Sequence, residues 1–159
     1  MAALESVTAM APHPAEVEMA LWFHDSVYDT KRSDNEARSA AWAKKALSAA
    51  GASTESLRLV EDLILVTKHD ALPQTPDEQV LVDIDLSILG AAEQRFAEFE
   101  RQVREEYSFV PGLLFRMKRK AILRTFLERE HIYSTPHFRE LLENSARQNL
   151  ELVLNGRVA

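Results

Sequence analysis

Signals for the beginnings and ends of helices recur along the whole chain, and apolar residues repeat at helical spacing between them. Pro14 fits the first turn of a helix, Thr75-Pro76 has the cap-then-proline order that opens one, and Gly51 and Gly156 mark helix ends. No segment alternates like a strand, and 4 Gly and 6 Pro are too few for an all-β fold dense in turns. The sequence therefore predicts an all-α fold of about seven helices with short connections.

Two four-residue segments have the pattern of a capping box. Ser33 and Glu36 form one candidate pair, and Thr75 and Glu78 form the other. In such a box the hydroxyl bonds a free N–H of the first turn and the acid reaches back to the cap. Each segment therefore predicts the start of a helix.

The composition limits the class of protein. A chain of 159 residues, 46% of them hydrophobic, is the size of one domain, and we expect a single domain over 1–159 with an irregular segment over 1–13. The absence of Cys excludes disulfides, thiolate catalysis and cysteine zinc sites, and it fits a cytoplasmic location. No apolar run approaches the ~20 residues of a membrane span. A net charge of -6 argues against nucleic-acid binding.

The dipeptide His24-Asp25 lies at the predicted end of a strongly apolar helix. An imidazole beside a carboxylate is a ligand pair suited to Mn, Fe, Zn or Mg. The alternative is a packed, hydrogen-bonded histidine with Asp25 as its orienting partner, and the recurrence of the dipeptide at His69-Asp70 shows that it arises by chance. By itself the dipeptide does not decide between these two interpretations.

A second candidate lies in an apolar helix that contains two carboxylates, Asp83 and Asp85. Burial of a carboxylate is costly unless it is paired or bound to a metal. The two positions lie about 200° apart on a helix, which predicts that one faces inward and the other outward. The alternative is that both lie on a polar flank.

A basic stripe lies further along the chain, at Arg116, Lys120 and Arg124. These residues are spaced to share one helix face. The stripe would suit substrate phosphates, but the favoured interpretation is a solvated face bridged to acids such as Glu128.

Longer segments around these acids resemble a known family, the HD-domain superfamily. Its members are all-α, metal-dependent phosphohydrolases, and the chain is similar to a bacterial subgroup described as predicted members. The resemblance runs from about Pro14 to the C-terminal part. It rests on ALWFHDSVYD (20–29), DNEARSA (34–40) and DIDLSILGA (83–91), with REEY (104–107), Val110-Pro111 and IYST (132–135) in support.

The resemblance implies a divalent metal, with Mn, Fe, Zn, Mg and Co as candidates. His24, Asp25 and a distal aspartate would bind it, and Asp85 matches that aspartate best, with Asp83 as the alternative. Asp29 occupies the position of a catalytic acid in some members, although Tyr28 stands where certain of them have Glu. His69 occupies the position of a further active-site histidine, for a second metal or the phosphate, or is a surface residue.

The chain departs from the family at its N-terminal end. Members have a further metal-binding histidine on a helix well upstream, and this chain begins after the place where that segment should be. His13 is the only upstream histidine, and it is too close to His24 to come from a separate helix. Either a segment is missing or the site lacks a ligand. Without that segment we expect apolar surface around Trp22 to be exposed, and a homodimer to cover it.

The expected function is hydrolysis of a small phosphate ester, with a nucleotide as one candidate, by a metal-activated water. The alternative is an HD-fold binding or regulatory domain without a complete metal site. A nucleic-acid-binding module using the basic stripe is the weakest hypothesis, because the chain is acidic and no aromatic residues alternate with the stripe. Neither of the first two hypotheses involves a membrane.

Overall fold

A computed structural model describes residues 7–157 of the chain. Within this range the chain forms seven complete α-helices and one 3₁₀ helix, and it contains no strand. The all-α fold of about seven helices is therefore confirmed. Of the predicted irregular segment, residues 1–6 lie outside the described range, Val7 and Thr8 are helical, and residues 9–13 form turns and bends.

The chain divides into two compact units, one ending at Asp85 and the other beginning at Leu86. A single domain over the whole chain stays a prediction, and each unit is described by itself. The first unit contains α1 (Pro14–Phe23), α2 (Asn35–Ala49), α3 (Thr54–Val66) and α4 (Pro76–Asp85).

Two helices of the first unit begin at the side-chain caps that their sequences indicate. The hydroxyl of Ser53 accepts a hydrogen bond from the Ser56 N–H at 3.0 Å and caps α3. At α4 the hydroxyl of Thr75 accepts from the Glu78 N–H at 3.3 Å, and the Glu78 carboxylate accepts from the Thr75 N–H at 3.2 Å. The predicted capping box at Thr75 is thus formed, and it fixes where α4 starts.

The capping box predicted at Ser33 is not formed. Helix α2 begins at Asn35, and its N-cap is Asp34, which makes no side-chain capping bond. The Asp34 carboxylate instead accepts two hydrogen bonds from the Arg32 guanidinium, both at 2.7 Å. A charge-assisted, two-point pair competes with a capping bond for the same oxygens, and here the pair is formed.

The core of the first unit combines one face of each helix. Helix α1 packs on α3 and α4, and α2 packs on α3. Small residues such as Ala20, Ala40 and Ala43 are almost completely buried where the helices meet, which allows their axes to approach closely. The larger core residues are Val17, Val60, Leu63, Ile64, Val80 and Leu81. This packing brings the C-terminal ends of α1 and α4 together.

The second unit begins with the 3₁₀ helix and continues with three long helices. Pro111 is the N-cap of the second of these three helices. The core of this unit includes Phe96, Leu123, Tyr133 and Leu150. Its elements are the 3₁₀ helix (Leu86–Gly90), α5 (Glu93–Glu106), α6 (Gly112–Leu127) and α7 (Pro136–Leu154).

None of the helices within residues 7–157 combines the length and the apolar composition needed to cross a bilayer.

Candidate functional site

Four polar side chains of the first unit form a chain of contacts at the ends of its helices. His24 and Asp25 follow the last residue of α1, Asp85 is the last residue of α4, and His69 lies three residues beyond α3. The His24 imidazole faces both carboxylates, and Asp85 also pairs with His69. These four residues are called the His–Asp cluster below.

His24 is held by the helix that precedes it. Its N–H donates to the Ala20 carbonyl, which extends the hydrogen bonding of α1, and its Nδ1 lies 2.8 Å from the Leu21 carbonyl oxygen. Because a carbonyl only accepts, Nδ1 carries a proton. Nε2 therefore points at the carboxylates, 3.3 Å from Asp25 Oδ2 and 3.5 Å from Asp85 Oδ1. Metal-binding histidines are commonly oriented by such a bond from the opposite ring nitrogen to a backbone carbonyl.

His69 has an unusual backbone. Its φ is +59°, the left-handed region, and within residues 7–157 it is the only residue other than glycine with positive φ. Glycine usually occupies this position after a helix, and another residue there costs about 1 kcal/mol. The conformation turns the chain after α3, and Nε2 of His69 lies 3.0 Å from Asp85 Oδ2. Backbone strain of this kind is concentrated at functional sites.

The charges of the His–Asp cluster are strongly coupled. Burial opposes the charged imidazolium, but the hydrogen bonds to Asp25 and Asp85 outweigh it and raise the pKa of His24 to about 10. Burial also opposes the charged carboxylate of Asp85, but hydrogen bonds from His24 and His69 lower its pKa to about 2. At neutral pH, the imidazolium of His24 therefore faces an ionised Asp85.

The cluster supplies the donor atoms of a metal site without the finished geometry of one. Among the described residues, no group of three or more His, Asp or Glu side chains is arranged to hold a metal ion. With metal–ligand bonds of about 2.1 Å, adjacent donors lie roughly 3.0–3.4 Å apart. The His24–Asp25 and His69–Asp85 pairs fall in this range, and the His24–Asp85 pair, at 3.5 Å, lies just beyond it. Asp25 is the exposed partner, since its side chain is 67% exposed against 19% for His24.

The two candidate distal aspartates have different surroundings. Asp85 contacts His24 and His69, whereas Asp83 is fully buried. Within the described part of the chain, the polar partners of the His24 imidazole are the Leu21 carbonyl, Asp25 and Asp85. Asp83 faces inward, but Asp85 does not face outward as expected from their 200° separation, because only 22% of its side chain is exposed. The structure brings Asp85, rather than Asp83, to His24.

Asp29 lies in the exposed turn between α1 and α2. Its carboxylate accepts a hydrogen bond from the Lys31 N–H at 2.9 Å, and its backbone N–H and carbonyl both bond the side chain of Asn35. These contacts give it a turn-forming role. A part in proton transfer stays a prediction, because no described contact joins Asp29 to the His–Asp cluster.

His13 forms a separate pair that the sequence did not indicate. Its Nδ1 lies 2.8 Å from Asp77 Oδ2, and its backbone N–H donates to Asp77 Oδ1 at 2.9 Å. The hydrogen bond to Asp77 raises the pKa of His13. Asp77 is almost fully buried, so His13 satisfies a buried carboxylate near the start of α4. Its exclusion as a metal ligand agrees with this local role.

The basic stripe lies on α6, in the second unit. Lys120 donates to the Leu154 carbonyl at 2.8 Å. The predicted ion pair of Arg124 with Glu128 is absent from the described contacts. Trp22 of α1, in the first unit, is 63% exposed, as expected from the sequence. A homodimer that covers it stays a prediction.

Comparisons of the chain with protein-family models, with curated proteins and with solved structures found no match. The resemblance to the HD-domain superfamily therefore remains an expectation drawn from the motifs.

Proposed function

We propose that the chain is a metal-dependent phosphohydrolase that uses the His–Asp cluster to bind a divalent cation. One observation carries the proposal: the carboxylate of Asp85 lies between the imidazoles of His24 and His69, and His24 also faces Asp25. Imidazole nitrogens and carboxylate oxygens are the donors that Mn, Fe, Zn and Co accept, and carboxylates alone suit Mg.

Metal binding at these residues requires two local changes. His24 must lose its Nε2 proton, because only the neutral imidazole has a lone pair for a metal. Asp25 must turn its exposed side chain so that its carboxylate and that of Asp85 meet on one ion. The donor set thus fits a divalent metal chemically.

Residues around the metal would have different roles. The Leu21 carbonyl keeps Nε2 of His24 directed at the carboxylates, and His69 keeps Asp85 ionised and aligned. His69 is also suited to hold or move a proton at Nε2. When bound, the metal supplies a water of lowered pKa and polarises a phosphoryl oxygen. The substrate class is a small phosphate ester, including nucleotides.

A second candidate function has an observation of its own. Because no three described side chains are arranged around one point for a metal, the same fold would also serve as a binding or regulatory domain without catalysis. The two candidates differ in whether a loaded metal supports turnover.

The deciding experiment measures hydrolysis of p-nitrophenyl phosphate and a panel of nucleotides by the full chain with Mn²⁺. We expect Mn²⁺-dependent turnover that falls at least ~100-fold in Asp25→Ala, since a metal ligand is lost. Asp70→Ala is the matched control, because Asp70 is exposed beside the cluster and pairs with Lys68, and it should keep activity. Metal bound without turnover would favour the second candidate. Turnover that Asp25→Ala leaves intact would refute the assignment.

A further inference from the structure

A small cavity in the second unit contains none of the residues of the His–Asp cluster. It has a volume of about 140 Å³ and lies between α5, α6 and the end of α7. Phe115 and Val153 supply apolar walls, and the polar groups around it are Glu100, Arg116, Arg119 and Lys120. Apolar walls with cations nearby suit a ligand that has an apolar body and a negative group.

The cavity is lined by more positive than negative side chains. The buried carboxylate of Glu100 is fully engaged by Arg119, whose Nε donates at 3.1 Å and whose Nη2 donates to the second oxygen. That pair is neutral as a whole. Lys120 donates one of its three N–H bonds to the Leu154 carbonyl, which leaves two for another acceptor. Arg116 has neither a hydrogen bond nor an ion pair within residues 7–157.

The size of the cavity limits what it can hold. An apolar protein cavity of roughly 150 Å³ accommodates benzene, so about 140 Å³ holds one six-membered ring or a short branched chain. Arg116 and Lys120 lie at the cavity without a carboxylate partner among the described contacts, and they favour a negative group on the same molecule. A guanidinium pairs with a carboxylate through two parallel hydrogen bonds.

We propose that this cavity binds a small aromatic or branched-chain monocarboxylate. The carboxylate lies against Arg116 and Lys120, and the apolar body lies between Phe115 and Val153. Glu100 neutralises Arg119, and the apolar walls, rather than the charge, favour such a ligand over inorganic phosphate. This site is independent of the metal and of phosphate ester hydrolysis.

The test is a titration of the full chain with benzoate, followed by ¹H–¹⁵N correlation spectra. Benzamide, which has the same shape without the charge, and inorganic phosphate are titrated alongside. Binding of benzoate should shift the amides of α6 and the end of α7. It should weaken roughly tenfold in Arg116→Gln, because a charge-assisted pair is lost. Arg124→Gln is the matched control: it removes the same charge from an exposed position on the same helix, away from the cavity.

Each result decides the matter. Benzoate binding that exceeds benzamide and phosphate binding, and that Arg116→Gln weakens while Arg124→Gln does not, supports the site. Absence of benzoate binding overturns the proposal. So does equal binding of benzamide, tighter binding of phosphate, or equal weakening by the two arginine substitutions.

Discussion

Nε2 of His69 lies 3.0 Å from Oδ2 of Asp85, and His69 reaches this position from a left-handed backbone conformation that a glycine would adopt more easily. A helix end that needed only to turn the chain would be more stable with glycine there. An imidazole at this position is explained if its contact with Asp85 serves the proposed metal site. Conformational strain and a charged pair thus coincide at one residue.

Two substitutions of His69 should therefore differ in stability while they reduce metal binding and activity alike. His69→Ala would keep the left-handed strain and lose the contact with Asp85, whereas His69→Gly would lose the contact and relieve the strain. The glycine variant should therefore be more stable to urea unfolding than the alanine variant by about 1 kcal/mol. Both substitutions should reduce Mn²⁺ affinity and phosphatase activity to a similar extent. Equal stabilities would show that the backbone is not strained at this residue.

The raised pKa of His24 predicts how the stability of the metal-free protein depends on pH. The folded value of about 10 exceeds the ordinary value of 6.5, so the His24–Asp85 pair contributes fully below pH 6.5 and is lost as pH rises through 10. The lowered pKa of Asp85, about 2, means that the same contribution is also lost as pH falls from 3.8 through 2. The His24–Asp85 pair therefore contributes most to stability between pH 3.8 and pH 6.5.

Urea unfolding of wild type and His24→Gln in EDTA checks this dependence. The stability advantage of wild type should shrink by an amount on the order of 2 kcal/mol between pH 6 and pH 10. An advantage that does not change across this range would contradict the assigned charge state.

Metal binding should release a proton. At pH 8 His24 is protonated, since its pKa is raised to about 10, and a metal has to displace that proton. Calorimetric titration with Mn²⁺ in two buffers of different ionisation enthalpy should give about one proton released per ion, with affinity rising roughly tenfold per pH unit between pH 7 and 9. Binding without proton release would place the metal elsewhere than on His24.

Gly90 should be intolerant of any side chain. A Cβ there would lie 2.6 Å from Leu142 Cβ and 3.0 Å from the Leu142 carbonyl oxygen and the Tyr133 hydroxyl. Gly90→Ala should lower the free energy of unfolding by about 2–3 kcal/mol, since the backbone must shift. Gly112→Ala is the control, because the nearest atom to its Cβ, in the Arg116 guanidinium, is 3.7 Å away and flexible. Thermal unfolding of both variants measures the difference, and equal melting temperatures would refute the close approach.

Local signals in the sequence predicted the helices well. Pro14 and Thr75 mark helix starts in the structure as in the sequence, because caps and first-turn prolines act through neighbouring backbone groups. The box predicted at Ser33 is not formed because Asp34, one residue later, is the N-cap of α2, and its carboxylate pairs with Arg32 instead of capping.

The site was only partly predictable. The dipeptide and the two aspartates of α4 were visible in the sequence, but the choice between Asp83 and Asp85 depends on which face of α4 meets α1. The orienting Leu21 carbonyl and the backbone conformation of His69 are properties of the folded chain. The His13–Asp77 pair joins residues 64 positions apart, and no local pattern indicates such a contact.

The central claim is that the His–Asp cluster holds a divalent metal, and equilibrium Mn²⁺ binding to the full chain tests it most directly. Wild type should bind about one ion, and Asp85→Asn, which keeps the shape of the side chain but removes its charge, should bind at least ~10-fold more weakly. Asp70→Asn should bind like wild type, because its carboxylate is exposed and pairs with Lys68. If wild type binds no Mn²⁺, or if Asp85→Asn binds it as well as wild type does, the cluster is not a metal site.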